Sequence, residues 1–293
     1  MERLEILKTY KIYIGGAFPR TESGRYYTPV NSKGEKLGNM CLSSKKDVRN
    51  AVVAARKAFG GWSERAAFNR SQILYRIAEM LEGRKSQFVE ELILQGLTTK
   101  AAQTEVEKSI DRIVYYAGWC DKINQVAGSV NPVSSSHFNF SALQPMGVVA
   151  LIADPSTSLL GLVSQITPII ASGNTVVVLA SEALPLCAVT FAEVINSSDV
   201  PGGVVNILTG KVDELADVLS SHLDVNAFVS GCNLGQQAIV VAKNCALNVK
   251  RFIEMQADWA QENAQGLHYI TDCMEVKTTW HPIENIGGSS SNY

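Results

Sequence analysis

The first half of the chain carries apolar residues at helical spacing. Ser44-Lys45-Lys46-Asp47 has residue types that open a helix, and the apolar positions after it recur every three or four residues: Val48, Val52, Ala55 and Phe59. The same spacing predicts a second helix from about Arg65 through Leu81 and a third from about Thr104 to Ile123. We interpret these stripes as faces that pack on a core.

The two ends of the chain predict strands. Short strands are expected at Lys11 to Ile14, which runs into a Gly15-Gly16 turn, and at Tyr26 to Val30. Near the other end, Glu275 to His281 alternates in the way that is typical of a half-exposed strand. The Gly- and Ser-rich segment Gly287 to Tyr293 is expected to be a flexible end.

From Met146 onward, short β-branched runs alternate with helical stretches such as Leu159 to Ser172 and Leu186 to Asn196. The predicted strands are Gly147 to Ile152, Thr175 to Leu179, Val204 to Leu208, Ala227 to Val229 and Arg251 to Met255. Nearly continuous apolar strands of this kind predict an α/β fold, with a Rossmann-like, doubly wound parallel sheet covered on both faces. The ligand crevice of such a sheet lies at the carboxyl ends of its strands. The segments expected there are Ala153 to Ser158, Ala180 to Glu182, Thr209-Gly210 and Ser230 to Leu234.

Composition and charge exclude several classes of protein. The 293 residues are 46% hydrophobic and 18% charged, which is ordinary globular composition and excludes a disordered chain. The net charge of -2, without a Lys/Arg block, argues against a dedicated nucleic-acid binder or a binder of anionic membranes. Met1 to Glu5 lacks the apolar run of a secretory signal, and no apolar stretch approaches the roughly 20 residues of a membrane span. We expect a soluble, cytoplasmic protein with one large or two small domains.

The cysteines and histidines are scattered and have no metal-ligand spacing, so we expect reduced thiols and no metal site. The four histidines are interpreted as surface or capping residues: His137, His222, His268 and His281. Cys232, at a predicted helix start, has two readings. Its thiol pKa is lowered there, or it is a small residue at a turn, as unpaired cysteines more often are.

A glycine-rich phosphate loop is missing from the sequence, since no strand is followed by GxGxxG and GxxxxGK[ST] does not occur. The nearest candidate is Ser230 to Gly235 (SGCNLG), which leaves a predicted strand and opens a helix. It is either a pyrophosphate site at a helix N-terminus or a simple turn between a strand and a helix.

Six motifs, in order along the chain, resemble landmarks of the N-terminal half of an aldehyde dehydrogenase. They are Lys11 to Gly16 (KIYIGG), Ala54 to Phe59 (AARKAF), Arg112 to Trp119 (RIVYYAGW), Gln144 to Val149 (QPMGVV), Ser172 to Val178 (SGNTVVV) and Val200 to Gly210 (VPGGVVNILTG). The resemblance covers about residues 8 to 256. Gly266 to Thr279 (GLHYITDCMEVKTT) then resembles the family's C-terminal oligomerisation arm, and the catalytic domain between these blocks is missing. This arrangement is similar to the second, incomplete module of the family 16 aldehyde dehydrogenases.

The resemblance implies that the catalytic groups are lost. The family's nucleophilic cysteine lies in the missing block, and none of the six cysteines has its sequence context. The asparagine that stabilises the oxyanion corresponds to Ser156, and Asp154 would bring a negative charge close to it. The general-base glutamate corresponds to Met255. The adjacent Glu254 should point to the opposite face of its strand, in a structural or exposed role.

The resemblance also implies that the cofactor groups are damaged. Leu179 stands where the family has a lysine for the ribose hydroxyls, and a lysine placed there should restore part of the NAD affinity. Val212, in place of a glycine, is expected to crowd the adenine position. Glu182, Ser230 and Gly231 are the vestigial cofactor-binding residues. We expect no bound cofactor, or weak binding of NAD.

The chain is expected to divide into five parts. Residues 8–127 form strands and helices that pack on the cofactor-type domain, and residues 128–145 form oligomerisation strands. A degenerate Rossmann-like domain follows at 146–256, then the C-terminal oligomerisation arm at 257–283 and the flexible tail at 284–293. The arm, around Val276 to Trp280, should form a strand beside Phe138 to Leu143.

These expectations lead to one preferred function and two alternatives. The chain is predicted to be a non-catalytic module that forms a homo-oligomer or docks on a full aldehyde dehydrogenase module, with no nucleic-acid partner and no membrane span. The first alternative is a regulatory module that binds a nucleotide. The second is a dehydrogenase that takes its cysteine from another polypeptide. The sequence leaves open whether the chain is a fragment of a longer protein.

Overall fold

The first part of the molecule consists of three short strands and five helices. The computed structural model describes residues 7–283, so the predicted flexible tail and the first six residues lie outside the described range. The elements of this part are β1 (Thr9–Tyr10), β2 (Tyr26–Tyr27), β3 (Asn39–Cys41), α1 (Lys45–Ser63), α2 (Ala67–Glu82), α3 (Lys85–Leu94), α4 (Thr99–Ala117) and α5 (Ile123–Ala127).

The predicted start of α1 is confirmed, and its cap explains it. The Ser44 hydroxyl accepts from the backbone N–H of Asp47, and the Asp47 carboxylate accepts from the backbone N–H of Ser44 at 2.7 Å. This reciprocal pair satisfies two of the N–H groups that a helix start leaves free. Asp47 is buried, and it also accepts from Thr21, which ties α1 to the N-terminal loop.

Three expectations for this part were wrong in detail. The third helix begins at Thr99, where the Thr98 side chain caps it, and ends at Ala117 before Gly118. Lys11 to Ile14 makes only isolated bridges, and the strand lies at β1 instead. The strand predicted to reach Val30 stops at Tyr27, because Pro29 has no N–H to continue a ladder.

The second part of the molecule alternates strands with helices. Its elements are β4 (Ser129–Asn131), β5 (His137–Pro145), β6 (Val148–Ile152), α6 (Leu160–Ala171), β7 (Thr175–Leu179), α7 (Leu186–Asn196), β8 (Val205–Leu208), α8 (Val212–Ser221), β9 (Ala227–Ser230), α9 (Gln237–Leu247), β10 (Arg251–Glu254), α10 (His268–Thr271) and β11 (Met274–Pro282). Five of these strands form a parallel sheet in the order β10-β9-β6-β7-β8. The predicted parallel α/β sheet is therefore confirmed.

Helices cover both faces of this sheet, and alternate residues of each strand explain why. Val148, Ala150 and Ile152 of β6 pack in one apolar cluster, which also holds residues of α1, α8 and α9. Val149 and Leu151 pack in another cluster, with α2, α4, α6 and α7. Every position of β6 is therefore apolar, which is the reason that the strand reads as a continuous hydrophobic run.

A separate three-stranded antiparallel sheet has the order β11-β5-β4. The pairing of β11 with β5 runs unbroken over nine residue pairs, from Met274 opposite Pro145 to Pro282 opposite His137. The expectation that the arm forms a strand beside Phe138 to Leu143 is confirmed. Most of β11 is exposed to solvent, so this sheet projects from the body of the described chain.

Candidate functional site

The strand order of the parallel sheet reverses between β6 and β9, and a cavity of about 660 Å³ opens at the carboxyl ends of the strands there. Such a reversal is the usual position of a ligand crevice in an open α/β sheet. Three of the four segments that the sequence assigned to the crevice contribute to its walls. The wall residues come from these segments, from the N-terminal loop and from the starts of α8 and α9: Tyr27, Thr28, Pro29, Val30, Ala153, Pro155, Ala180, Ser181, Glu182, Ala183, Val212, Asp213, Cys232, Asn233, Leu234 and Gln237.

The fourth segment, Thr209-Gly210, serves the fold and not the cavity. Thr209 is buried, and its hydroxyl donates to the carbonyl of Cys41 at 2.6 Å. The side chain thereby anchors β3 to the end of β8.

The three predicted cofactor-binding residues are not brought together on one surface. Glu182 is exposed on the cavity wall. Ser230 is buried, and its hydroxyl donates to the carbonyl of Cys232 at 2.7 Å. Gly231 has no room for a side chain, since a Cβ there would collide with the amide of Gln165 and lie 2.7 Å from the backbone nitrogen of Asp154. Packing against the sheet therefore accounts for this glycine without a ligand.

The charge on the cavity wall is negative. Glu182 and Asp213 supply carboxylates, and no Lys, Arg or His is among the described residues that form the wall. Asp213 and Glu214 also lie in the first turn of α8, where carboxylates offset the positive end of the helix dipole. A diphosphate would find no cationic side chain on this wall.

The other positions compared with cofactor groups differ in their surroundings. Leu179 is fully buried in the apolar cluster beneath the cavity and does not reach its wall. Val212 does line the cavity. The predicted helix after Ser230 begins later than the sequence suggested, at Gln237, so Ser230 and Gly231 lie in a loop before it.

A buried polar cluster closes the end of β6. The Asp154 carboxylate accepts from the indole N–H of Trp259 at 2.7 Å and from the backbone N–H of Ser156 at 2.6 Å. The Gln165 side chain accepts from the Asp154 N–H at 3.0 Å and donates to the carbonyl of Met255 at 2.9 Å. The carboxylate of Asp154 is therefore held by internal donors, while Ser156 is exposed.

Arg112 extends this cluster to the segment that follows β10. Its guanidinium donates to the Ser164 hydroxyl at 2.9 Å and to the carbonyls of Trp259 and Ala264. The Trp259 ring lies 5.6 Å from the ring of Tyr269. Trp259 and Arg112 are buried, so this segment covers the end of β6 with groups of the chain itself.

Sequence reasoning missed the role of Trp259, Gln165 and Arg112 in this cluster. A tryptophan in a polar tail, a glutamine in the apolar helix α6 and an arginine on the buried face of α4 were the available signals, and their partners are far apart in sequence.

Neither Met255, at the position that corresponds to the general-base glutamate, nor the adjacent Glu254 is among the described wall residues of the cavity. Met255 is buried, and Glu254 is exposed, as expected for their opposite strand faces. Burial raises the pKa of the Cys187, Cys232 and Cys245 thiols, and raises the pKa of Cys120 and Cys273 to about 12. The idea of a lowered pKa at Cys232 was therefore wrong, because desolvation outweighs the hydrogen bond with Ser230.

The histidines lie apart from the cavity, and His222 ends α8, where its ring accepts from the backbone N–H of Asp224 at 3.2 Å. Within residues 7–283, no three side chains of His, Cys, Asp and Glu come together as a metal site. None of the helices in this range is both long enough and apolar enough to cross a membrane.

Comparisons with known proteins agree with this architecture. The family model described as the aldehyde dehydrogenase family matches residues 19–255. The chain is 33% identical to the cytosolic 10-formyltetrahydrofolate dehydrogenase of Mus musculus, over 86% of this chain and 28% of that protein. It is also 33% identical to a putative aldehyde dehydrogenase, DhaS, of Bacillus subtilis, over 83% of this chain and 49% of that protein.

Solved structures give the same result for the fold. An aldehyde dehydrogenase of Bacillus cereus, in its NAD+ complex, superposes with a TM-score of 0.78 at 25% identity, over 85% of this chain and 51% of that one. PnpE in complex with nicotinamide adenine dinucleotide superposes with a TM-score of 0.80 at 27% identity, again over 85% and 51%. The chain thus spans about half, or less, of the length of the proteins that it matches.

Proposed function

Because the chain belongs to the aldehyde dehydrogenase family, we propose that it is a non-catalytic module of that family, which acts in oligomerisation or protein interaction. The observation that carries this proposal is the projecting sheet of β4, β5 and β11. The chain builds this sheet completely from its own residues, and within residues 7–283 no strand pairs with the outer edge of β11.

The exposed side chains of the sheet support a role in association. Val276 and Trp280 share one face because they are four residues apart on β11, and they are 68% and 56% exposed. Phe138 and Val130 are exposed on the other face. A free strand edge flanked by apolar side chains is a template for pairing with another chain.

The polar cluster at the end of β6 supports the absence of catalysis. Asp154 lies two residues before Ser156, the position that corresponds to the oxyanion-stabilising asparagine, and its charge has the wrong sign to stabilise a developing oxyanion. Raised thiol pKa values also disfavour an activated thiolate. We expect no aldehyde-dependent formation of NADH by this chain alone.

Light scattering tests the role in association. The wild-type chain, alone and mixed with a full-length aldehyde dehydrogenase, is compared with a Val276→Lys/Trp280→Lys variant, whose charges should block an apolar interface. Phe68→Lys, at a 64% exposed aromatic residue on α2, is the matched control. A truncated variant that removes the arm should keep residues up to Glu275, because Ile270, Cys273 and Met274 are buried and support the core.

We expect a mass above that of one chain, or a mixed complex, for the wild type and for Phe68→Lys, and a single chain for the double variant. A wild-type chain that stays monomeric and forms no mixed complex would contradict the proposal, as would a double variant that still associates.

A second candidate function is a regulatory module that binds a nucleotide. The observation in its favour is the cavity of about 660 Å³ with Glu182 on its wall, where a carboxylate could accept from ribose hydroxyls. The absence of Lys, Arg and His among the described wall residues argues for weak binding of NAD. Calorimetric titration separates the two functions: a dissociation constant well below about 1 mM would favour the regulatory module.

A further inference from the structure

A second cavity, of about 450 Å³, lies at the base of the projecting sheet. It is bounded by the end of α1, the start of α2, the residues around α5 and the ends of β5 and β11. It is remote from the crevice of the parallel sheet and shares no wall residue with it. Its chemistry is dominated by one side chain, Arg70.

Arg70 is a buried cation with no anionic partner in the described part of the chain. The side chain is only 9% exposed and lines the cavity. One nitrogen, Nη1, donates to the carbonyls of Ser63 and Arg65 at 3.3 and 2.6 Å, and Nε is buried with no hydrogen-bond partner among residues 7–283. Among residues 7–283 no ion pair includes Arg70. A buried charge of this kind is costly until an anion neutralises it.

The neighbouring groups do not provide that anion. Burial raises the pKa of the Cys120 thiol to about 12, so the thiol beside Arg70 is uncharged at neutral pH. Asp121 is exposed at the rim and pairs with Lys122 at 3.2 Å. Glu64, also exposed at the rim, makes no ion pair among the described residues.

We propose that this cavity binds a small organic monocarboxylate, with its carboxylate group on Arg70. Asn124 can donate to the same group, because its side-chain oxygen already accepts from the Leu143 N–H at 3.2 Å and its amide N–H groups have no acceptor among the described residues. Phe59 and Met274 provide apolar wall for the rest of the ligand.

The rim sets the preference for a single negative charge. Arg70 neutralises one charge, whereas Glu64 and Asp121 repel a second one. A doubly charged phosphate is therefore disfavoured against a carboxylate of similar size. This inference stands apart from the proposed role in association, since it depends on the cavity alone.

Calorimetric titration of the full chain with benzoate, benzamide and inorganic phosphate tests the proposal. Benzoate and benzamide have the same shape and differ in charge. We expect benzoate to bind about tenfold or more tightly than either, as one charge-assisted hydrogen bond implies. Arg70→Lys keeps the charge and loses the fork of donors, so it should weaken benzoate about tenfold. Lys57→Gln removes a positive charge from the wall of a different cavity, and should leave benzoate binding unchanged.

A second variant keeps the test decisive if Arg70→Lys does not fold. Glu64→Gln combined with Asp121→Asn changes only exposed rim residues, and should strengthen phosphate about threefold or more by removing the repulsion. Equal affinity for benzoate and benzamide, no detectable binding of benzoate at about 10 mM, or unchanged phosphate affinity in the double variant would each overturn the proposal.

Discussion

The buried carboxyl group of Glu91 should make the stability of this protein fall as the pH rises through neutrality. Glu91 lies on α3, is 6% exposed, and accepts from the Thr190 hydroxyl at 2.6 Å through one oxygen. Its other oxygen is buried and has no hydrogen-bond partner within the range that the structure describes. Burial raises the pKa of Glu91 to about 7, with a further contribution from the charge of Glu193, and outweighs the Thr190 hydrogen bond.

The sign and size follow from proton linkage. Because the folded pKa lies above the ordinary value of 4.5, the folded state holds the proton more tightly, and the stabilisation is fully present below pH 4.5. It is lost as the pH rises through 7. Between pH 5 and pH 8 the free energy of unfolding should fall by about 2 to 3 kcal/mol from this group alone.

Urea unfolding followed by circular dichroism at several pH values, for the wild type and Glu91→Gln, isolates that contribution. Glutamine has the shape of the protonated acid and does not titrate, so the variant should lack this decline. The comparison with Glu91→Gln is needed because His222 also titrates in this window. Burial lowers the pKa of His222, so this residue adds stability as the pH rises. Glu90→Gln, at the exposed residue just before Glu91, is the matched control.

The reasoning would be refuted if the unfolding free energies of the wild type and Glu91→Gln changed by the same amount between pH 5 and pH 8, to within about 0.5 kcal/mol. A Glu90→Gln variant that flattens the profile equally would also refute it, because the effect would then come from surface charge.

Three further outcomes are expected. Ala183→Lys, on the exposed cavity wall, should raise the affinity for NAD about tenfold in calorimetry, and an unchanged affinity would contradict the electrostatic argument. Leu179→Lys should instead destabilise the fold in urea unfolding, because that side chain is buried. Trp259→Phe should cost about 1 to 3 kcal/mol of unfolding free energy by leaving a buried oxygen of Asp154 unsatisfied, and an unchanged urea midpoint would show that water replaces the indole. Ser44→Ala should cost about 1 kcal/mol by removing the cap of α1, with Ser86→Ala at an exposed position of α3 as control, and equal stabilities of the two variants would contradict the role of the cap.

Local signals in the sequence were sufficient for much of the fold. The cap at Ser44 is a contact between residues three apart, so a short motif contains all of it. The strands β6 and β7 are apolar at every position because both of their faces are buried, and this leaves a continuous run that can be recognised without a partner. The pairing of β11 was predictable because a resemblance supplied the partner that spacing alone could not.

Contacts across the fold were not predictable in the same way. Trp259 and Asp154 are 105 residues apart, and neither has a local pattern that announces the other. The resemblance offers Gly231 as a cofactor-binding residue, and the sequence gives no sign that Gln165 also fills the space where a Cβ at Gly231 would lie. The isolation of Arg70 is equally invisible in the sequence, since a missing counterion is a property of the packed structure.

The pairing of β11 with β5 also has a consequence for synthesis of the chain. The residues that pair are separated by about 130 positions or more along the sequence. At roughly 5 to 20 residues per second, β5 leaves the ribosome about 6 to 26 s before its partner is made. During that interval one edge of β5 lacks its strand, so the nascent chain carries an unpaired strand edge that pairing with β11 later closes.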